Sequence, residues 1–440
     1  MIFQDTIVAL SSGRLPSGIA VIRISGPQTR FALETMLGKV PSPRSARFTA
    51  FHAPDGRLLD QGIALFFPGP ASFTGEDSAE FHAHGGRAVV QAVTEALTSL
   101  EGLRLAEPGE FTRRAFLNGK VDLLEAESLA DLVSAETEAQ RRFAVLNAEG
   151  RQSGVYLDWR HRLIHARAMI EAEMDFADEA DIPGSVSSTV WADVRAMIDE
   201  IRRHVQGFHR AEIIRDGFDV VIIGAPNAGK SSLLNMLARR DVAIVTDEPG
   251  TTRDLVEVVL DLDGVKVRLT DTAGIREAPG KVEAIGIGRA LERARTADLI
   301  LHLEDVTTPD RIPDTESTAP TLRIGTKTDL LPAAAKPDGF DCLVSSTSGA
   351  GVDSLLDMIT ARAVTAVGDV ADVLPSRQRH IDLLTKTTDY LEAALALPVD
   401  QLELRSENLR LASDRLGRIS GAVDTEDLLD VIFSQFCIGK

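Results

Sequence analysis

The stretch Asp219-Val-Val-Ile-Ile-Gly224-Ala-Pro-Asn-Ala-Gly229-Lys230-Ser231 carries the clearest fold signal of this chain. Its first part is a continuous apolar run closed by glycine, which is typical of a strand buried on both faces of a parallel sheet. Its second part matches the pattern G-x-x-x-x-G-K-[ST] and precedes a helical run at 233–237. The stretch therefore predicts a phosphate-binding loop between a buried strand and the N-terminus of a helix.

The residue types of this loop suit a nucleoside triphosphate bound with Mg²⁺. Glycines let backbone N–H groups surround a phosphate, while the Lys230 ammonium neutralises phosphate charge and the Ser231 hydroxyl reaches Mg²⁺. A glycine-rich turn without a ligand would not explain the motifs that follow. The predicted nucleotide contacts in the loop are Asn227, Ala228, Gly229, Lys230, Ser231 and Ser232.

Three downstream motifs follow in the order of a GTPase: Gly250-Thr-Thr-Arg-Asp254, Leu269-Thr-Asp271-Thr-Ala-Gly274 and Arg323-Ile-Gly-Thr326-Lys327-Thr-Asp329. Asp271 can hold Mg²⁺ through water, and Gly274 can approach the γ-phosphate with its N–H. The Asp329 carboxylate can accept hydrogen bonds from guanine N1–H and the exocyclic amine, which adenine does not offer. GTP is therefore favoured over ATP.

One position departs from the usual base-recognition motif N-K-x-D. Thr326 stands in place of Asn, which leaves the contact with the major-groove edge of the base open. Ser345 and Ser346 occupy the place of the usual S-A-K base loop. The nucleotide contacts predicted after the phosphate loop are Thr246, Asp247, Glu248, Pro249, Gly250, Thr251, Thr252, Asp271, Thr272, Ala273, Gly274, Thr326, Lys327, Asp329, Ser345 and Ser346.

Composition limits the class of protein. The chain has 440 residues, which at about 150 per domain predicts roughly three domains. Its 66 acidic and 47 basic residues give a formal charge of −19, so a protein that coats nucleic acid is disfavoured. Two cysteines, Cys342 and Cys437, exclude a disulfide framework within the chain. No signal peptide or membrane-spanning stretch is evident, so we expect a cytoplasmic protein that does not contact membranes.

The order of sequence patterns predicts a multidomain α+β and α/β fold. Residues 1–119 carry short β-type runs at 19–24, 62–67 and 73–83 and a helical stretch at 86–100, which indicates an α+β domain. Residues 120–215 contain almost no Gly or Pro and have apolar residues at helical spacing. Strand-like and helix-like segments alternate over 216–366, and helical periodicity returns over 367–440. We therefore predict a discontinuous helical domain with an inserted P-loop GTPase domain built on a doubly wound parallel sheet.

Three further signatures resemble the bacterial tRNA-modification GTPase family MnmE, also called TrmE, over essentially the whole chain. They are Asp5-Thr-Ile-Val-Ala9 with Arg23-Ile-Ser-Gly26, the segment Gly109-Glu-Phe-Thr-Arg-Arg-Ala-Phe-Leu-Asn-Gly-Lys120, and the terminal Cys437-Ile-Gly-Lys440. The resemblance implies that domain 1–119 binds folate and forms a homodimer. It also implies that GTP is hydrolysed through K⁺-dependent association of two GTPase (G) domains and that this hydrolysis drives a conformational cycle.

The same resemblance implies a reaction on tRNA. An FAD-dependent partner, MnmG (GidA), would join the chain in a heterotetramer or larger complex. Together they would add an aminomethyl or carboxymethylaminomethyl group to C5 of the wobble uridine of certain tRNAs. The one-carbon donor would be a reduced folate, 5-formyl- or methylene-tetrahydrofolate. Because the chain is acidic, we expect any tRNA contact to be local, around clusters such as Arg113-Arg114, or shared with the partner.

Site residues carried over from the family match this chain position by position. The catalytic residues implied are Glu283, which would orient water, with Lys230 and Cys437. The K⁺ positions are Asn227, Thr246, Glu248 and Thr251, and the Mg²⁺ positions are Ser231 and Thr252. The folate positions are Arg23, Glu80, Lys120 and Lys440.

Simpler interpretations exist for several of these residues. Asn227 is also compatible with a loop filler, and Glu283 with an exposed carboxylate at a helix start. Cys437 shares helical spacing with Phe433 and Phe436, which is typical of an apolar helix face, whereas a nucleophilic thiol would need a lowered pKa. His82 and His84 form an H-x-H pair without an evident third metal ligand.

A second hypothesis is a regulatory GTPase that binds ribosomal RNA as an assembly checkpoint. The predicted G domain is compatible with both hypotheses. The set Arg23, Glu80 and Lys120 and the terminal Cys437-Ile-Gly-Lys440 favour the first hypothesis, because an RNA checkpoint would not need them. A terminal basic RNA-binding module is also missing from the sequence.

Overall fold

The computed structural model describes residues 3–175, 186–244, 257–271, 293, 295–308, 318–332, 337–423, 426–434, 436 and 439. The chain divides into two compact units, each built from segments that are distant in sequence. The first unit comprises Met1–Ala130, Ser153–Ile182 and Ala396–Lys440. The second unit comprises Asp131–Gln152 and Pro183–Leu395. The bounds of the four predicted segments stay predictions, because the two units are defined by packing and do not coincide with those segments.

A six-stranded sheet forms the centre of the first unit. Its strands are β1 (Thr6–Leu10), β2 (Ser17–Ser25), β3 (Arg47–His52), β4 (Leu58–Phe67), β5 (Ser78–Gly85) and β6 (Leu103–Leu105). They lie in the order β3-β4-β5-β2-β1-β6, and every pair is antiparallel except the parallel pair of β1 and β6. In β2, Ala20, Ile22 and Ile24 are buried while the side chain of Arg23 lies on the opposite face.

Helices accompany the strands in each unit. Helices α1 and α2 pack on the apolar face of the first sheet through residues such as Leu33 and Val93. The helices in the described residues are α1 (Thr29–Leu37), α2 (Arg87–Thr98), α3 (Glu110–Leu117), α4 (Leu123–Ser134), α5 (Glu138–Ala148), α6 (Arg151–Asp175), α7 (Val186–Gln206), α8 (Phe208–Asp216), α9 (Lys230–Leu237), α10 (Val352–Val367), α11 (Gln378–Ala396), α12 (Leu402–Ser420) and α13 (Glu426–Ser434).

The second unit contains the predicted nucleotide-binding sheet. Its strands are β7 (Phe218–Gly224), β8 (Glu257–Leu262), β9 (Val265–Asp271), β10 (Leu299–Asp305), β11 (Thr321–Thr326) and β12 (Cys342–Leu343), in the order β12-β11-β10-β7-β9-β8. Four of the five pairs are parallel, and the edge strand β8 is antiparallel to β9. The two-residue turn Asp263-Gly264 has φ of 53° and 80°, the positive values that suit a tight hairpin. The predicted fold class is confirmed, with one antiparallel edge strand added.

Most predicted elements appear with small changes of boundary. The runs at 19–24 and 62–67 lie in β2 and β4, and the stretch at 86–100 contains α2. The β-type run predicted at 73–83 is wrong at its start, because β5 begins at Ser78. Residues before it form a loop in which the Ser72 hydroxyl bonds the Glu76 carbonyl and Asn118 bonds the Thr74 carbonyl. These side-chain contacts replace the ladder that a strand would need.

Helix α5 packs on the nucleotide-binding sheet although it belongs to the predicted helical segment 120–215. Its Phe143 is only 3% exposed and joins the same apolar core as Leu260 and Leu269. Cys342 is also buried in this core. In the described part of the chain, none of the helices combines the length and apolar character needed to cross a membrane.

Candidate functional site

The phosphate loop connects β7 to α9 at the carboxyl end of the sheet. Gly224 passes so close to β10 that a Cβ atom there would clash with the Leu303 carbonyl oxygen. Gly229 has a φ of 92° and caps α9 in the left-handed conformation. Both positions require glycine, for close approach and for positive φ respectively. Asn227 also has a positive φ, 65°, which Asn tolerates better than most residues.

The Lys230 side chain contacts the phosphate loop that precedes it in sequence. Its side-chain ammonium donates to the carbonyl oxygens of Gly224 at 2.7 Å and Ala225 at 2.9 Å, and the residue is buried. Burial lowers the pKa of Lys230, against the opposing effect of the Asp271 carboxylate. The cation is therefore held at the mouth of the loop, where phosphate charge would be neutralised.

Ser231 and Asp271 meet beside the loop. The Ser231 hydroxyl donates to Asp271 Oδ2 at 2.9 Å, and Asp271 ends β9 in a fully buried position. A hydroxyl and a carboxylate are the hard oxygen donors that Mg²⁺ prefers, so this pair fits the predicted Mg²⁺ ligands. In the described residues no cluster of three or more His, Cys, Asp or Glu side chains offers a metal site of its own.

The base-recognition motif follows β11. Thr326 ends the strand, and its hydroxyl lies 2.7 Å from the Ala228 carbonyl and 3.1 Å from the Glu304 carbonyl. The carboxylate of Asp329 accepts a hydrogen bond of 2.6 Å from the Ser345 hydroxyl. Ser345 is fully buried, which fixes the orientation of Asp329. The structure thus brings the base motif, the base loop and the phosphate loop together.

Asp305 is a positioning residue of this site that the sequence reasoning missed. Its carboxylate pairs with the Lys327 ammonium at 2.6 Å and accepts two hydrogen bonds from Thr307. Burial raises the pKa of Asp305, but the bonds from Lys327 and Thr307 outweigh it and lower the pKa to about 2. The sequence feature that could have revealed Asp305 is its position: it is a carboxylate at the carboxyl end of a buried strand, next to the strand that carries the base motif.

Several predicted site residues lie outside the described residues, so their positions stay predictions. In the GTP-binding set these are Thr246, Asp247, Glu248, Pro249, Gly250, Thr251, Thr252, Thr272, Ala273 and Gly274. Also outside are the catalytic positions Glu283 and Cys437 and the folate position Lys440. Ser232 and Ser346 are described: Ser232 follows Ser231 in the first turn of α9, and Ser346 follows Ser345 in the base loop.

Two of the predicted folate residues meet on the first sheet. Arg23 on β2 and Glu80 on β5 face each other in register and form an ion pair of 2.9 Å. The second carboxylate oxygen of Glu80 accepts a bond of 3.0 Å from His82. Although burial opposes it, the bonds from His82 and Arg23 hold the pKa of Glu80 below its usual value. His82 therefore hydrogen-bonds the Glu80 carboxylate, a role that the H-x-H pattern did not reveal.

The third predicted folate residue, Lys120, makes its hydrogen bond elsewhere in the first unit. Its ammonium donates to the Pro70 carbonyl at 3.1 Å. The C-terminal motif does reach this unit, because the Gly439 carbonyl accepts a bond of 2.9 Å from the Ser11 hydroxyl beyond β1. Gly439 lies so close to the Leu10 carbonyl that a Cβ there would clash with its oxygen. Gly439 is therefore anchored beside β1, the strand that pairs with β2.

The expectation that Arg113 and Arg114 form a tRNA contact is wrong for Arg114. The side chain of Arg114 has no exposed surface and is bonded to Asp5, Glu76 and Glu110. An arginine enclosed by three carboxylates cannot reach a phosphate without breaking that network. Arg113 remains partly exposed.

A phosphate loop at the carboxyl end of a mostly parallel sheet, a Ser–Asp pair for Mg²⁺ and an oriented carboxylate in the base motif define the class of protein: a P-loop GTPase. Comparison with known proteins narrows the class. Residues 6–120 match the family profile "GTP-binding protein TrmE N-terminus", and residues 123–437 match "MnmE helical domain". The chain belongs to the MnmE family.

Two curated relatives are both called "tRNA modification GTPase MnmE". That of Mesorhizobium japonicum is 66% identical over 443 residues and covers 100% of both chains. That of a Chelativorans species is 58% identical over 440 residues, 99% of this chain and 98% of the relative. Among solved structures, a variant of Aquifex aeolicus Era bound to GDP.AlF4- is 24% identical over 39% of this chain and 66% of its own, with a TM-score of 0.26.

Proposed function

We propose that this chain is the K⁺-stimulated GTPase of a tRNA-modifying complex in the cytoplasm. As a homodimer, and with an FAD-dependent MnmG (GidA) partner in a heterotetramer or larger complex, it adds an aminomethyl or carboxymethylaminomethyl group to C5 of the wobble uridine. A reduced folate, 5-formyl- or methylene-tetrahydrofolate, supplies the carbon. The observation that carries the proposal is the 66% identity to a "tRNA modification GTPase MnmE" over the full length of both chains.

In this proposal GTP is held by the loop at 224–231 and recognised through Asp329. Ser231 and Thr252 would hold Mg²⁺, with Asp271 acting through water, and the bound ion offsets the negative charge of the phosphates. Lys230 adds a second positive charge at the same phosphates, and Glu283 orients the attacking water. K⁺-dependent association of two G domains promotes this hydrolysis, and the hydrolysis in turn drives the conformational cycle of the complex. Cys437 would act in the tRNA reaction rather than in hydrolysis.

Mass spectrometry of wobble uridines tests the reaction on tRNA. Deleting the gene in its own host should remove the C5 modification, and expressing this chain from a plasmid should restore it. A plasmid carrying Lys230→Ala is the matched control, because losing the phosphate-loop cation should abolish restoration while the protein is still made. Nucleosides that are unchanged by the deletion would overturn the proposal.

A monovalent-cation comparison tests the K⁺ site. Asn227 offers an amide oxygen, a ligand type that suits an alkali cation, and its φ of 65° is one that glycine adopts without strain. Asn227→Gly should therefore keep the loop conformation while removing the side chain that carries the amide oxygen. We expect K⁺ to stimulate GTP turnover well above Na⁺ in the natural chain and this ratio to fall towards one in the variant. Equal turnover of the natural chain in the two salts would contradict a K⁺ role.

Calorimetry with 5-formyltetrahydrofolate tests the folate site on the full chain. Glu80→Gln removes the charge that pairs with Arg23 and His82, and it should weaken folate binding by about tenfold, as expected for loss of a charged hydrogen bond. Glu101→Gln, at an exposed position of the same unit, is the control and should change nothing. GTP turnover should stay the same in both variants, since neither residue belongs to the nucleotide-binding motifs. Undiminished folate affinity in Glu80→Gln would argue against this site.

A further inference from the structure

The side chain of Thr326 joins the base motif to the phosphate loop. Thr326 is 4% exposed at the end of β11, and its hydroxyl lies 2.7 Å from the Ala228 carbonyl, across 98 residues of sequence. Gly229, the next residue of the loop, also packs on it, because a Cβ there would lie 3.6 Å from the Thr326 side chain. The residue that departs from the usual Asn thus contacts the loop that holds the phosphates.

The Thr326 hydroxyl has too few protons to hold the phosphate loop and also donate a hydrogen bond to guanine. A threonine hydroxyl has one proton, whereas an asparagine amide has two N–H donors. Both oxygens near the Thr326 hydroxyl, those of Ala228 and Glu304, are carbonyl acceptors. The single proton is therefore used on the protein backbone. None is left for N7 or O6 on the major-groove edge of a guanine.

The rest of the base motif is positioned without Thr326. Asp329 is oriented by Ser345, whose hydroxyl oxygen in turn accepts bonds from the backbone N–H groups of Thr347 and Ser348. Lys327 is held by Asp305 at 2.6 Å. The Asp329 carboxylate, which would read guanine N1–H and the exocyclic amine, is thus oriented by Ser345 of the base loop, so guanine can be selected through that edge without a contact from Thr326 to the base.

We propose that Thr326 is a positioning residue that fastens the phosphate loop to the base motif through its one hydroxyl proton, and that its side chain does not read N7 of the bound guanine. The inference rests on the guanine site of the proposed function. An asparagine at this position could hold the phosphate loop and also donate to guanine N7, because its amide has two N–H donors. Threonine can do only the first. Nucleotide affinity then depends on the hydroxyl, whereas base selectivity depends on Asp329.

Calorimetry of the full chain with GDP and with 7-deaza-GDP, which lacks the N7 acceptor, tests both parts. The natural chain should bind the two nucleotides within about twofold of each other. Thr326→Val keeps the shape and removes the hydroxyl, so both affinities should fall by about tenfold, the size of one net hydrogen bond. Thr326→Ser keeps the hydroxyl and should bind nearly as the natural chain does.

Thr326→Asn supplies the second donor and is the decisive variant. It should bind GDP roughly fivefold to tenfold more tightly than 7-deaza-GDP, because one N–H can reach N7 while the other holds Ala228. A natural chain that prefers GDP by this margin, with the preference lost in Thr326→Val, would overturn the inference. So would a Thr326→Val variant that binds both nucleotides like the natural chain. A natural chain that binds neither nucleotide would instead contradict the proposed guanine site, and the inference would fall with it.

Discussion

Arg114 donates to three carboxylates inside the first unit, those of Asp5, Glu76 and Glu110, at distances between 2.8 and 3.3 Å. Its neighbour Arg113 pairs with Asp430 at 3.1 Å, where the side chains are 37% and 78% exposed. The two arginines thus differ sharply in their exposure to solvent, although both pair with carboxylates. A buried charge network is costly to break from one side, whereas an exposed pair contributes little.

Replacing each of these arginines by methionine should separate the two effects. Arg114→Met removes the cation that pairs with Glu76 and leaves Asp5 and Glu110 with Arg104 alone, so it should lower the free energy of unfolding of the first unit by about 3–5 kcal/mol. Arg113→Met should cost under about 1 kcal/mol. Urea unfolding of the full chain measures both values. Equal losses in the two variants would contradict the assigned role of the Arg114 network.

His204 provides a residue whose protonation should affect stability. Burial and the charge of His380 lower the pKa of His204 to about 4, partly offset by a hydrogen bond with the Val373 backbone. An unfolded chain binds a proton at this histidine below about pH 6.5, the unperturbed value, while the folded chain does not until about pH 4. Stability is therefore complete above about pH 6.5 and is lost as the pH falls from there towards about 4.

Thermal unfolding between about pH 7 and pH 5 tests this linkage. The natural chain should lose a few degrees of Tm more than His204→Gln over this range, since glutamine does not titrate. Buried carboxylates with lowered pKa, such as Glu80, change their contribution to stability only below about pH 4.3, which lies outside the tested pH range. His165→Gln, at an exposed position of α6, is the control. Identical pH profiles for the natural chain and His204→Gln would refute the prediction.

Among the elements of the second unit, the hairpin β8–β9 is held at its turn by α5. The Ala139 N–H donates to the Gly264 carbonyl at 2.9 Å, and Lys266 pairs with Glu136 at 2.6 Å. Phe143 on the same helix enters the core beneath the sheet. Segment 245–256, which contains the predicted Mg²⁺ position Thr252, directly precedes β8 in sequence. Segment 272–292, which contains the predicted γ-phosphate contact Gly274, directly follows β9. The helical segment 131–152 is therefore physically joined to the strand that ends in Asp271.

Phe143→Ala should loosen this connection. Removing a buried aromatic ring leaves a cavity and should cost about 3–5 kcal/mol, which opens the region around β9 more often. Hydrogen exchange of peptides covering 257–271 should therefore become faster than in the natural chain. Val133→Ala, at a position 46% exposed, is the control and should leave exchange unchanged. Unchanged exchange in Phe143→Ala would show that the helix does not support the hairpin.

For the molecule as a whole, the charge of −19 limits how the chain can hold tRNA. Phosphate contacts require lysines and arginines, and many of the described arginines already pair with carboxylates, as Arg23, Arg104 and Arg410 do. A broad basic surface is therefore not expected on this subunit. Within the proposed function, part of the tRNA contact then falls to the partner subunit.

The salt dependence of tRNA binding measures this limit. For an unmodified tRNA transcript and the chain alone, we expect a shallow plot of log K against log salt, with a slope equivalent to about three phosphates or fewer. Fluorescence anisotropy in increasing KCl gives the slope, and adding the partner subunit should steepen it. A slope equivalent to about six phosphates or more for the chain alone would contradict the expectation.

Local patterns in the sequence were enough to predict the GTPase class. A buried strand, a phosphate loop and a helix follow one another within 218–237, and the base motif at 323–329 overlaps the end of a strand. Such patterns are readable because each residue's neighbours along the chain decide the local conformation. The signatures at 109–120 and 437–440 indicated the MnmE family. The full-length relatives and the family profiles confirm this assignment.

Contacts between residues that are distant in sequence could be known only from the folded chain. The Arg114 side chain meets Asp5 across 109 residues, and Thr326 meets Ala228 across 98. Phe143 joins the core of a sheet that begins far beyond it in sequence. A residue's type fixes which bonds it can form, but folding fixes which partners are near and whether water competes for them. Hence Arg114, predicted as a surface cation, is a buried structural charge.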